Sequence, residues 1–243
     1  MNKNALRGFA VSGLLVMGLT ACGGSGASTK AASAPASETA TPTPTPTPVK
    51  DYTVDELTAI MVQLRDDNGL QLAVMSMADM AGTAQQSKAM FEGAAIEPAQ
   101  CRELVLASLF PIENVKGVVG TSVDVAAGSS TALSLASGLD QDRLEADFAK
   151  QDQISECSSM AMTMGETKVT MEMRPVEVSL AAPVSMALRT DSSFADGRKQ
   201  SMIMVRGLKD GVLINALANG GKTEQEAVAR AADLVNQAVE LIK

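Results

Sequence analysis

An alternating Thr-Pro repeat over residues 41–48 limits which part of the chain can fold. Each proline lacks a backbone N–H and fixes φ, so these eight residues suit neither a helix nor the interior of a sheet. Residues 23–50 consist mainly of Gly, Ser, Ala, Thr and Pro, and such a composition builds no apolar core. We therefore predict that 22–50 is a disordered linker, with a polyproline II stretch of about 25 Å, and that one domain folds over 51–243.

Residues 1–21 have the pattern of a signal peptide. Lys3 and Arg7 are followed by an apolar run, 8–19, that is too short to span a bilayer. The Leu-Thr-Ala-Cys sequence that ends at Cys22 resembles the lipobox of bacterial lipoproteins, in which the cysteine is acylated and exposed by cleavage. The alternative is an ordinary secretory signal whose cysteine enters a disulfide. We predict a lipidated Cys22 that anchors the protein to the outer face of the cell membrane, since two or more acyl chains hold a protein stably.

Cys101 and Cys157 are the two cysteines that remain. In an oxidising extracytoplasmic compartment we expect them to form a disulfide. It would close a loop of 57 residues, counting both cysteines, and the chain-entropy model assigns about 4 kcal/mol of stabilisation to such a loop. The alternatives are two free thiols or a metal site, but two cysteines in a chain without histidine are poor material for a zinc site.

Two capping boxes mark the beginnings of helices. Thr53 and Thr223 are each followed three residues later by a glutamate, which predicts one helix that ends at Asn68-Gly69 and a last helix that packs on a sheet. Further helices are predicted from Pro98 and over 140–150. The apolar residues that recur at helical spacing in these segments are Leu57, Ile60, Met61, Leu64, Cys101, Leu104, Val105, Leu109, Leu144, Phe148, Val228, Ala231, Val235, Val239 and Ile242.

Between the helices the apolar period shifts to two, which indicates strands. Three hairpins are predicted, with turns at Gly128-Ser129, Gly165-Glu166 and Asp210-Gly211. Because such short connections join antiparallel strands, we expect an α+β domain in which a twisted antiparallel sheet is covered on one face by helices. The alternating residues are Val123, Val125, Thr131, Leu133, Leu135, Met160, Met162, Met164, Val169, Met171, Met173, Met202, Met204, Val212 and Ile214.

Methionine is abundant, with fifteen residues in a chain whose aromatic content is 2%. The Met-x-Met sequences at 75–80 and 160–164 resemble thioether clusters that bind Cu(I), a soft ion that suits sulfur ligands. However, a spacing of two is also the period of a strand, and methionine fills irregular gaps in a core that lacks aromatic rings. We therefore predict core packing and no metal site.

The layout of the chain resembles a known family, the extracellular sensor domain of mycobacterial serine/threonine protein kinases, which also occurs in free-standing actinobacterial lipoproteins. The resemblance implies a twisted antiparallel sheet with helices, and a ligand bound in an extracytoplasmic cleft. The features that carry it are the lipobox and Thr/Pro linker, the opening helix from Tyr52 to Leu57, Cys101 on a helix, a short hairpin, a helix with Phe148, Cys157, the strand Gly211–Asn215 and the Ala-rich helix that leads to Lys243.

The absence of histidine excludes Ser-His-Asp triads, Cys-His pairs and imidazole metal ligands. The formal net charge of −8 becomes −10 when the signal peptide, with Lys3 and Arg7 and no acid, is removed, and this charge disfavours nucleic acid. We therefore expect no catalysis, no cofactor and no nucleic-acid partner. The predicted function is a sensor or carrier for a small, lipid-like ligand. The alternatives are an envelope protein that acts through protein contacts and a Met-rich Cu(I)-binding protein.

The lipobox generates the first testable prediction. In the Cys22→Ala variant, labelling by a fatty-acid analogue should be lost, and the protein should be released into the medium or remain as an unprocessed precursor. Both outcomes follow from removing the only thiol that the motif offers for acylation. Continued acyl labelling of this variant would show that the motif does not act as a lipobox.

Overall fold

The computed structural model describes residues 50–108, 115–149 and 155–243. The predicted signal peptide, Cys22 and the linker up to residue 49 lie outside these ranges. The strands are β1 Ala73–Ser76, β2 Ala95–Glu97, β3 Lys116–Asp124, β4 Ser129–Ser137, β5 Ser159–Met164, β6 Thr167–Pro175, β7 Val184–Phe194, β8 Lys199–Lys209 and β9 Val212–Gly220. The helices are α1 Val54–Met61, α2 Ala81–Glu92, α3 Cys101–Ser108, α4 Gln141–Ala149 and α5 Glu224–Leu241.

The strands form one antiparallel sheet, and its order is β1-β3-β4-β9-β8-β7-β6-β5-β2. Together with the helices, this confirms the predicted α+β class. The three predicted hairpins are present as β3–β4, β5–β6 and β8–β9. Because β1 and β2 lie at opposite edges, the connection that contains α2 runs from one side of the sheet to the other.

One face of the sheet, here called the α5 face, carries the main core. The α5 helix packs on β8, β9 and β4, and α1 packs on β3 beside it. Successive residues of a strand alternate between the faces, so every second residue of the central strands points towards α5. The buried residues of this core include Leu133, Leu135, Val205, Val212, Ile214, Ala231, Leu234, Val235 and Ala238.

The opposite face is here called the methionine face, because it carries the methionines of β5 to β8. Leu144 of α4 is buried there against Leu208 and Leu213, and Phe148 packs on the same group. Helices therefore lie on both faces of the sheet, and not on one face as expected, because α4 packs on the methionine face. The methionines of this face are Met160, Met162, Met164, Met171, Met173, Met186, Met202 and Met204.

Cys101 and Cys157 form a disulfide with a Cα–Cα distance of 5.6 Å. It joins the first residue of α3 to the segment that leads into β5. Both cysteines are buried and pack with Met160 and Met162 on the methionine face. The bridge therefore connects helix α3 to the sheet edge formed by β5 and β2.

The first helix is shorter than the sequence indicates. Its capping box is present, with the Thr53 hydroxyl accepting from the Glu56 N–H and the Glu56 carboxylate accepting from the Thr53 N–H. However, α1 ends at Met61 and does not continue to Asn68-Gly69. The reason is that the Asp66 carboxylate accepts from the backbone N–H groups of Asn68 and Leu70, which fixes a turn in place of another helical turn.

Other boundaries also differ from the prediction. The α3 helix begins at Cys101 and not at Pro98, because the bonds from Cys101 N to Pro98 O and from Arg102 N to Ala99 O belong to a turn. Val125 lies in the β3–β4 turn and not in a strand. The predicted helical position Leu109 lies outside the described residues. Neither helix α2 nor the strands β2 and β7 were predicted from the sequence.

Two glycines shape the connection from β9 to α5. Gly220 has φ +65° and lies so close to the β3–β4 turn that an added Cβ would be 2.1 Å from the Gly128 carbonyl oxygen. The buried Arg230 donates to the carbonyl oxygens of Asn219 and Gly220 at 3.1 and 2.9 Å. At Gly221, an added Cβ would be 2.7 Å from Nη1 of the same arginine. This connection therefore sets where α5 begins.

Two glycines with positive φ, Gly197 and Gly220, allow a matched test of this close approach. Gly197 has φ +85° with no atom within 4 Å of an added Cβ, so Gly197→Ala should lower the free energy of unfolding by only about 1–2 kcal/mol, for the left-handed backbone. Gly220→Ala adds a clash with backbone and should cost about 3 kcal/mol or more. Urea denaturation of both variants measures the difference. Equal losses would contradict the close approach of Gly220 to the β3–β4 turn.

Candidate functional site

A groove of about 530 Å³ lies beside the first half of α5. One wall is the extended segment that follows β6, and the other is the helix surface. Alanines at 229 and 232 leave room between the two walls, because their side chains are short. The lining residues are Arg174, Pro175, Val176, Glu177, Val178, Ser179, Glu224, Gln225, Val228, Ala229 and Ala232.

The extended wall is held at both ends by hydrogen bonds. At its start the Val176 N–H donates to the Ala187 carbonyl at 3.1 Å. At its end the Asn236 side chain of α5 accepts from the Ala181 N–H at 2.9 Å and donates to the Ser179 carbonyl at 3.3 Å. The wall is therefore fixed to both the sheet and the helix.

Side chains of this wall alternate between the core and the solvent. Val176, Val178 and Leu180 are half-buried and pack against the main core, whereas Glu177 and Ser179 are exposed. This period of two is the pattern of a strand that covers apolar residues on one side. The wall therefore presents valine side chains and polar groups in turn along the groove.

Charged side chains gather at the end of the groove where α5 begins. The Glu224 carboxylate accepts from Arg189 Nη1 at 2.5 Å and also from Arg174. Arg189 in turn donates through Nε and Nη2 to the two oxygens of Asp191, at 2.7 and 2.6 Å. The Ser201 hydroxyl donates to the same carboxylate. Two guanidinium groups and two carboxylates thus form one network on the surface of β6, β7 and β8.

Within this network, Arg189 and Asp191 hold each other in their charged forms. The bidentate hydrogen bond from Arg189 lowers the pKa of Asp191, and the same bond raises the pKa of Arg189. Arg189 is 22% exposed, whereas Arg174 is 52% exposed and bonds only to Glu224 within the network. Arg174 is therefore the cation that a ligand in the groove reaches.

The methionines that the sequence singles out do not line this groove. Met160 and Met162 are 3% and 6% exposed and lie on the methionine face, with Met160 directly opposite Met171 in the sheet. Met77 is also buried on that face, whereas Met75 is 52% exposed. The apolar walls of this groove are formed by valine, alanine and proline.

None of the groove residues was predicted from the sequence to form a site, and Val228 was predicted only to be a core position of the last helix. The one sequence signal is the alternation of Val176, Val178 and Leu180 after a strand, which marks an extended wall. In the described residues, no group of three or more Cys, Asp or Glu side chains is placed to hold a metal ion. None of the described helices has the length and apolar character to cross a membrane.

No protein-family model and no curated protein sequence matches this chain. Among solved structures, it is similar to the extracellular domain of PknH from Mycobacterium tuberculosis, with 11% identity, 79% of this chain and 100% of that chain covered, and a TM-score of 0.47. It is also similar to an uncharacterized protein from Mycobacterium smegmatis, the Rv0999 ortholog, with 15% identity, coverages of 62% and 77%, and a TM-score of 0.41.

Proposed function

We propose that this protein is a membrane-anchored extracytoplasmic lipoprotein that binds a small amphipathic ligand, as a sensor or carrier, without performing chemistry on it. The observation that supports this best is the groove, whose volume of about 530 Å³ lies in the range of about 300–1,000 Å³ for ligand sites. Anchoring through acylated Cys22 and display on the Thr-Pro linker are the parts of this proposal that rest on the sequence alone.

The groove favours a ligand with an apolar body and an anionic end. Pro175, Val176 and Val178 on one wall and Val228, Ala229 and Ala232 on the other offer apolar contacts. Arg174 offers guanidinium donors at the end where α5 begins, and a helix N-terminus also favours negative charge. A lipid with a carboxylate or phosphate group has this combination of features.

The groove residues are poorly suited to catalysis. Ser179 is the only hydroxyl-bearing side chain of the lining, and neither lysine nor histidine lines the groove to activate it as a nucleophile. The carboxylate of Glu224 accepts hydrogen bonds from two guanidinium groups, so it is already engaged within the protein. We therefore assign recognition and not reaction to this site.

A second candidate function is binding to another envelope protein. Val123, Val125 and Leu70 are 68%, 86% and 64% exposed. The Asn68 side chain, two residues before Leu70, donates a hydrogen bond to Asp124, which lies between the two valines in the hairpin. Exposed apolar side chains that lie close together are typical of protein contacts. In this alternative the β3–β4 turn, and not the groove, carries the function.

Fatty-acid binding tests the groove directly. Tetradecanoate should raise the melting temperature of the secreted Cys22→Ala chain as its concentration passes Kd, because it binds only the folded state. Ala229→Phe should remove this shift by filling the groove. Arg174→Gln should weaken binding about tenfold or more, since it removes a charged hydrogen-bond donor.

The matched control is Ala126→Phe, which changes an exposed alanine in the β3–β4 turn, away from the groove. This variant should keep the full thermal shift. The proposal fails if tetradecanoate raises the melting temperature of the Ala229→Phe variant as much as that of the Cys22→Ala chain with the groove unchanged. It also fails if neither fatty acids nor phospholipids shift the melting temperature and native mass spectrometry finds no bound mass after purification from the host.

Copper binding makes a separate prediction. Because Met160 and Met162 are buried against Ile96 and the disulfide, we expect anaerobic Cu(I) titration against a competing chelator to show no tight stoichiometric site. Changing Met160, Met162 and Met164 to Leu conserves volume and should cost less than about 1.5 kcal/mol per site. A sub-picomolar Cu(I) complex that this triple change abolishes would overturn the core-packing interpretation.

A further inference from the structure

The groove beside α5 is closed at one end by Asn236. The lining on the helix ends at Ala232, and Asn236 is the next residue on the same side of α5, one helical turn further along. The Asn236 side chain hydrogen-bonds both the Ala181 N–H and the Ser179 carbonyl of the extended wall. The two walls are therefore joined there, and a ligand between them cannot extend past Asn236 unless both hydrogen bonds break.

The walls also meet at the other end, but there the contact is an ion pair at the surface. Arg174, just before the extended wall, bonds to Glu224 at the start of α5, and their side chains are 52% and 31% exposed. An anionic group can compete with Glu224 for this exposed guanidinium. The groove therefore has a polar entrance that an anion can reach and a far end that is closed by an amide.

Both walls give the same length for the space between these two ends. Glu224 and Asn236 are twelve positions apart on α5, which corresponds to about 18 Å at about 1.5 Å per helical residue. Arg174 and Ser179 are five positions apart, which corresponds to about 17 Å at about 3.3 Å per extended residue. An extended polypeptide advances about 1.2 Å per backbone bond, so a space of about 17 Å holds about fourteen bonds of an extended alkyl chain.

We propose that Asn236 sets the length of the ligand that the groove accepts, and that this ligand is an unbranched fatty acid of about fourteen carbons. The inference rests on the proposed function of the groove. The carboxylate binds Arg174 at the entrance, and the alkyl chain lies along Val178, Val228 and Ala232. A longer chain must bend out of the groove into water, so its additional methylenes bury no further apolar surface.

Calorimetric titration of the secreted Cys22→Ala chain with saturated fatty acids of ten to eighteen carbons, each below its micelle concentration, measures this limit. The affinity should rise about two- to fourfold per added methylene up to about fourteen carbons, and no further. In Asn236→Ala the rise should continue to eighteen carbons, because the far end is open. In Ala232→Leu, which keeps the hydrogen bonds of Asn236, the rise should stop at about ten carbons, because Ala232 lies about 12 Å along α5 from Glu224.

Gln237→Ala is the matched control. Gln237 follows Asn236 on α5 and forms the same kind of amide clamp away from the groove, with the Arg65 N–H and the Arg65 carbonyl, both at 3.0 Å. This variant also removes two hydrogen bonds between α5 and a neighbouring backbone segment, yet it should leave the limit at about fourteen carbons. A purely structural role of Asn236 would instead weaken the binding of every chain length by the same factor.

An affinity that keeps rising to eighteen carbons with the groove unchanged would overturn the length limit. So would an Asn236→Ala variant that keeps the limit or that loses affinity equally at every chain length. If Asn236→Ala does not fold, an unchanged limit in Ala232→Leu overturns the proposal by itself. If no fatty acid binds at any length, the proposed function of the groove fails together with this inference, whereas binding without a length limit overturns this inference alone.

Discussion

The packing of α5 on the central strands is the interaction on which the rest of the structure depends. The chain has no tryptophan, one tyrosine and five phenylalanines, so its main core consists of aliphatic side chains and must pack closely to bury enough surface. Small residues make this possible. An added Cβ at Gly207 would be 2.8 Å from Cβ of Ala182, and one at Gly120 would be 2.6 Å from the Met61 sulfur of α1. Larger residues at either position would displace the side chains that pack there.

The groove beside α5 follows from this arrangement. The α5 helix covers β4, β9 and β8, and the segment after β6 lies along the side of the helix where Ala229 and Ala232 leave space. The groove is therefore a gap between a helix and an extended wall that Asn236 holds at a fixed distance.

Local signals in the sequence predicted the elements that such signals control. The capping threonine at Thr53 and the turns at Gly128, Gly165 and Gly211 are where the pattern placed them, because backbone geometry at these positions demands those residue types. At Thr223 half of the predicted capping box formed. The Thr223 hydroxyl accepts from the Glu226 N–H, as in a capping box. The Glu226 carboxylate, however, accepts from the backbone N–H of Lys222 in place of that of Thr223.

The elements that escaped prediction depend on contacts distant in sequence. The α2 helix has no buried face and so no apolar period to detect. The groove forms from residues 174–179 and from α5, which are about 50 residues apart, and their approach is set by the sheet and by Asn236. The charged network likewise depends on a hydrogen bond between residues distant in sequence, from Arg189 to Glu224. The sequence placed the methionines on strands correctly, but a period of two does not tell which face a helix will cover.

The central claim is that the groove beside α5 is a ligand site, and electron density of the protein purified from its own cells tests it most directly. We predict continuous density for an elongated molecule between residues 175–179 and α5, with its anionic end within hydrogen-bonding distance of Arg174. A groove that holds only separate water molecules, in a crystal of protein never exposed to detergent or delipidation, would contradict the account.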